Sequence, residues 1–180
     1  MVRKKYSDDY EVVVKEDEKG REKRTAVYRG DYFEVDLDQK GIVQFKNTCL
    51  LLISLIIVFH IGAGFVTTQG ANQFYISLPY AFVYFPMIYL ADSIWRCPKE
   101  NRKFTRKEIG LSYERIKTTS HIVLSFLLIG IAGEIIFLLF FSDVVNYGMD
   151  YLYLALEILV GILILAVIKL QKQISIIKSA

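Results

Sequence analysis

The run Leu128-Ile-Gly-Ile-Ala-Gly-Glu-Ile-Ile-Phe137 carries a single polar side chain, Glu134, in the middle of a membrane-grade apolar stretch. An ionisable group at that depth costs roughly 2.5 kcal/mol or more on insertion scales, so it must face a protein interior or a water-filled cavity. The rest of the chain must supply that interior and the groups that meet the carboxyl inside it.

At 180 residues with 53% apolar side chains and a positive mean hydropathy of 0.34, the chain exceeds the apolar content of ordinary soluble domains. The excess lies in blocks. Residues 47–68, 73–95, 121–141 and 151–170 are each long enough to cross a hydrocarbon core of about 30 Å, which takes about 20 residues of helix. The sequence therefore predicts an all-α integral membrane protein, a four-transmembrane-helix antiparallel bundle over 47–170. It is preceded by a charged segment, 1–46, and followed by a short tail, 171–180. The lipid bilayer is the partner this composition demands.

Charge sets the threading. Between Trp95 and His121 lie eight basic and three acidic residues, whereas the links 68–72 and 142–150 hold no Lys or Arg. By the positive-inside rule the 96–120 loop, the N-terminus and the tail with Lys169, Lys172 and Lys178 are expected in the cytoplasm, at the inner face of the cell membrane. That loop suits anionic lipid headgroups. The net charge of +3 follows from topology and calls for no nucleic acid. The first apolar block begins too far from Met1 for a cleaved signal peptide, so the leading segment is expected in the mature protein.

Residues 1–46 balance 11 basic against 11 acidic side chains. Strand signals recur at Tyr10–Glu16, Arg24–Tyr28, the alternating Phe33–Leu37 and Ile42–Phe45, with turns at Asp17–Gly20, Arg29-Gly-Asp31 and Asp38–Gly41. A small cytoplasmic β-type appendage, an antiparallel meander, is expected, resting on the bundle or on a partner because its apolar residues are too few for a core of its own, with a partly disordered leader as the alternative. The Arg-Gly-Asp tripeptide reads as a turn. In the 96–120 loop, Thr105-Arg-Lys-Glu108 fits a capping box and predicts a helix beginning near Arg106, either lying on the membrane surface or running into the third span. Pro79 and Pro86 should kink the second span unless neighbours compensate.

Counting inward from the outer helix ends, His60, Glu134 and Glu157, with Tyr80, come to one level about 10 Å below the outer boundary. Asp150, Tyr153 and Glu157 form one stripe of the fourth helix, Tyr80 and Tyr84 share a face of the second, and Gly64, Gly130 and Gly161 stand four residues from the buried ionisable groups. The expectation is a single buried polar layer. Three roles fit it: a structural hydrogen-bonded layer in a non-catalytic membrane subunit, assembly or partner-binding protein; a proton or cation site in a small transporter or coupled permease; or a metal site with His60, Glu134 and Glu157 as ligands.

Catalytic chemistry has little to stand on. The sequence holds no Walker loop, no nucleophile elbow, no dinucleotide fingerprint and no His-Glu-x-x-His pair. His60 and His121 are separated by about 20 Å of depth and cannot hold one haem between them. Cys49 and Cys97, without a Cys-x-x-Cys pair, are expected as free thiols near the inner boundary, so no cofactor is implied. A homo-oligomer or a second membrane protein remains the partner class to consider.

Overall fold

Asp38 starts the bundle. Its carboxylate accepts from the Gly41 amide at 2.8 Å, an N-cap that launches helix α1 over Gln39–Gly64 in the computed structural model, which describes residues 6–16, 22–100, 103–141 and 145–179. The segment Ile42–Phe45, expected as a strand, lies within the first two turns of this helix. Its apolar side chains continue a helical period, with Ile42, Phe45, Cys49, Ile53, Ile56, His60 and Ala63 all buried along one stripe. Hydropathy alone placed the helix start at residue 47 because the opening turns are half polar.

Helix α2, Phe74–Arg96, continues through Pro79 and Pro86. Proline at 79 has no amide hydrogen for the Tyr75 carbonyl one turn earlier. Gly133 of the helix opposite fills that place: a Cβ there would stand 3.0 Å from Tyr75 O and 3.2 Å from Ile76 Cγ1, so only glycine lets the two backbones meet. The third span is two pieces. The Thr105/Glu108 capping box opens α3, Arg106–Leu111. Ser112 breaks the regular conformation for one residue while donating to Glu108 O at 2.6 Å, and α4 follows at once over Tyr113–Phe140. The loop helix thus runs directly into the span. Helix α5 occupies Tyr147–Lys172.

All four long helices meet the length and apolarity needed to cross a membrane. Only 33% of the most apolar window of each is buried inside the protein, and the outward faces carry Leu51, Val58, Phe85, Leu139 and Leu165 fully in view. Helices this apolar, with large apolar side chains turned outward, belong in lipid. Around the bundle α2 packs on α4, α4 on α5 and α5 on α1.

At the basic end, where α1 begins and α2 and α5 finish, the β elements differ from a meander. Strands β1, Tyr10–Glu16, and β2, Glu22–Tyr28, form a separate hairpin pairing Tyr10 with Tyr28. Strand β3, Tyr32–Val35, pairs with neither. It is the centre of a three-stranded antiparallel sheet between β4, Phe104–Thr105, and β5, Ile176–Lys178. Sequence adjacency lost to packing: Val35 and Phe104 are buried on the bundle, which a strand paired only within the hairpin could not reach. Arg29–Asp31 is the bend between hairpin and sheet, and Asp31 pairs with Lys178 at 2.8 Å. The Tyr28 hydroxyl pins the hairpin to α3, donating to Asp31 O at 2.6 Å and accepting from Arg106 N at 3.0 Å. The expected turn at Asp17–Gly20 and the outer-link residue Asp143 lie outside the described residues.

Candidate functional site: a polar core in the far half of the bundle

His60 faces α5 and α2 from a fully buried position, its Nδ1 3.0 Å from Glu157 Oε1 and its Nε2 3.3 Å from the Tyr80 carbonyl. A carbonyl only accepts, so Nε2 carries a hydrogen. One further proton then lies between Nδ1 and Oε1, whether as imidazolium with carboxylate or as imidazole with carboxylic acid. In both descriptions the pair is neutral as a unit, which is what an apolar interior tolerates.

The tyrosines close the site. Tyr80 donates its one hydroxyl hydrogen to His60 O at 2.9 Å, so Tyr84, 2.8 Å away, must be the donor in their mutual bond. Their rings lie 4.4 and 4.9 Å from the imidazole ring, and Tyr153 lies 6.2 Å from Tyr80, within electrostatic range of Glu157. Gly64 makes room for the Tyr80 hydroxyl, which occupies the place where a Cβ would be.

Glu134 is not in this group. It is fully buried, and among the described residues neither carboxyl oxygen has a hydrogen-bond partner. Its carboxyl group presses on Gly70, the buried glycine of the link between α1 and α2, and lies within electrostatic range of Asp150 and Tyr153. Asp150, also fully buried, accepts from Gln69 N at 2.9 Å and from Asn146 N at 2.7 Å, tying the two far-end links together. The layer expected from counting therefore separates into two neighbouring groups, His60 with Glu157, Tyr80 and Tyr84, and Glu134 with Gly70 and Asp150. The 68–72 link folds inward, so that Gly70 lies against the Glu134 carboxyl group. Gly130 lies 3.8 Å from Pro79 Cβ by the same measure, whereas Gly161 faces open space and brokers no close approach.

The three-ligand metal arrangement does not form. Both imidazole nitrogens are engaged elsewhere, Glu134 stands apart, and among the described residues no three His, Cys, Asp or Glu side chains converge.

A second buried polar contact escaped the sequence reading. Lys46 on α1, 8% exposed, donates its ammonium to Trp95 O at 2.7 Å and to Cys97 O, satisfying carbonyls that α2 leaves open at its C-terminus. It was counted with the solvated charges because the helix was expected to begin one residue later. Cys49 and Cys97 are free and buried nearby, and burial pushes the Cys97 thiol up to about 12. No protein-family model matches the chain, and neither a curated protein nor a solved structure matches it.

Proposed function

We propose that this chain is a non-catalytic multi-pass protein of the cell membrane, a subunit or assembly partner whose buried polar core holds the helices in register. Its working surface is the composite sheet β3–β4–β5 at the basic end, and the charge distribution supports a cytoplasmic side for it. The observation that carries this reading is the closure of the His60 group. Both imidazole nitrogens and the Tyr80 and Tyr84 hydroxyls are engaged within the bundle, which supports a role in holding the helices together. Three distant parts of the chain meet in one small sheet, and that sheet offers a partner, or a second copy of the chain, an edge at β5 and an exposed Ile177.

A second reading has one observation in its favour. Glu134 is buried with both oxygens unpaired, the condition of a carboxyl group that exchanges a proton or cation in a small transporter. Proteoliposomes containing the purified chain and an internal pH dye separate the two. The closed core gives the proton permeability of protein-free liposomes under an imposed pH gradient. A protein-dependent flux lost on Glu134→Gln would replace the first reading with the second.

A further inference from the structure

Beside the C-terminus of α2 a cleft of about 690 Å³ opens between the hairpin and the connection to α3. Three cations from three separate places line it: Arg96, the last residue of α2; Lys103, just before β4; and Lys107, in the first turn of α3. Tyr10 and Tyr32 also line it. Glu108 also lines the cleft, with Oε2 2.9 Å from Thr105 N and 3.1 Å from Thr105 Oγ1. Arg96 shares Asp92 with Arg115, two guanidinium groups on one carboxylate, so that trio keeps a positive charge. Glu34 lies 3.9 Å from Lys103, and both side chains are about half exposed.

Positive-inside topology explains why basic residues sit at this end of the protein. It does not explain why three of them line one hollow together with two tyrosines. Lys and Arg clusters with hydroxyl donors recognise phosphate oxygens, and the volume is that of a small-ligand site, far larger than a bare ion needs. Trp95, 73% exposed next to Arg96, marks the depth of the lipid–water boundary, where a headgroup arrives from the side. The geometry points to a binding site for a phosphate mono- or diester group in this cleft, with the headgroup of an anionic phospholipid as the first source to test.

The experiment uses the full-length chain in neutral detergent, read by native mass spectrometry with added phosphatidylglycerol and, in a separate arm, with soluble glycerol phosphate. Each lysine near an anionic surface contributes about fivefold, so Lys103→Gln with Lys107→Gln should weaken binding about 25-fold. Arginine at both positions should restore it. Lys169→Gln with Lys172→Gln removes the same charge from the end of α5, outside the cleft, and should change binding by less than about twofold. Retention of the lipid alone assigns the site to a headgroup, and binding of both ligands assigns it to a phosphate group from either source. Equal losses from the two double variants, or no binding of either ligand by the unaltered chain, would overturn the site.

Discussion

Replacing Glu157 by leucine leaves the His60 Nδ1 atom without its partner 3.0 Å away, in a position with no solvent to take over. Replacing His60 by phenylalanine does the reverse to Glu157, while the new ring still packs on Tyr80 and Tyr84, whose centroids lie 4.4 and 4.9 Å from the present imidazole. An orphaned buried polar group costs about 1–3 kcal/mol, and breaking a buried ion pair in a soluble protein about 3–5 kcal/mol. Interhelical hydrogen bonds in membranes average nearer 0.6 kcal/mol, because separated helices in lipid also find partners. This pair belongs above that average, since both members are ionisable and a proton lies between them. About 2 kcal/mol for each single substitution is expected. Made together, His60→Phe and Glu157→Leu remove both polar groups and replace them with apolar groups of similar bulk, so the double variant should lie within about 1 kcal/mol of the unaltered chain. The sum of the singles is about 4 kcal/mol, which leaves a coupling of about 3 kcal/mol. Reversible unfolding by SDS titration in mixed micelles, followed by circular dichroism, measures all four corners of the cycle. Additivity within about 0.5 kcal/mol would refute the pair as an energetic unit.

Glycine substitutions should rank by the space the structure gives them. Gly133→Ala drives a methyl group against Tyr75 O at 3.0 Å and should destabilise the bundle by about 1–3 kcal/mol, while Gly161→Ala, with nothing within 4 Å, should be neutral or slightly stabilising in the same SDS titration. Deletion of residues 1–30 removes the hairpin but leaves β3, so four spans and the three-stranded sheet should persist; deletion through Leu37 also removes the strand that β4 and β5 share, and should expose the C-terminal tail to limited proteolysis. The Cys97 thiol, raised to about 12 by burial, should resist maleimide at neutral pH until the protein is unfolded. Because its folded value lies above an unfolded value of about 8.5, the stability it contributes is complete below that pH and is lost as pH rises towards about 12. An SDS midpoint that rose across this window in the unaltered chain but not in Cys97→Ser would contradict the assignment.

The four spans were legible because apolar runs of this length have only one stable environment. Their inner ends were not. Gln39–Lys46 and Tyr113–Ser120 mix charged with apolar residues, and only the cap at Asp38 and the box at Thr105 say that helix has begun. The capping box was visible in four letters, since its logic is local. The sheet was invisible for the opposite reason: β3 finds its partners about 70 and 140 residues away, and two-residue and three-residue strands such as β4 and β5 carry no period to read. In the core, depth counting brought His60, Tyr80 and Glu157 to one level, because helix rise is regular. It could not separate Glu134 from them, because that depends on which way the Gln69–Gly70 backbone turns, and Asp150 holds that turn through amide hydrogens that the sequence does not show.

The closed core around His60 is tested most directly by its own ring protons. The chain has two histidines, and 15N-histidine labelling in nanodiscs therefore gives two sets of imidazole signals. His121 is exposed at the basic end, where its Nδ1 lies 2.7 Å from Lys117 O, and its N–H should vanish on transfer to deuterated buffer. For His60 the N–H signals to Glu157 and Tyr80 should survive that transfer, cross-correlated with the tyrosine rings beside them. Loss of the His60 signals as fast as those of His121 would mean that water reaches the pair, and would contradict the sealed polar core on which the functional reading rests.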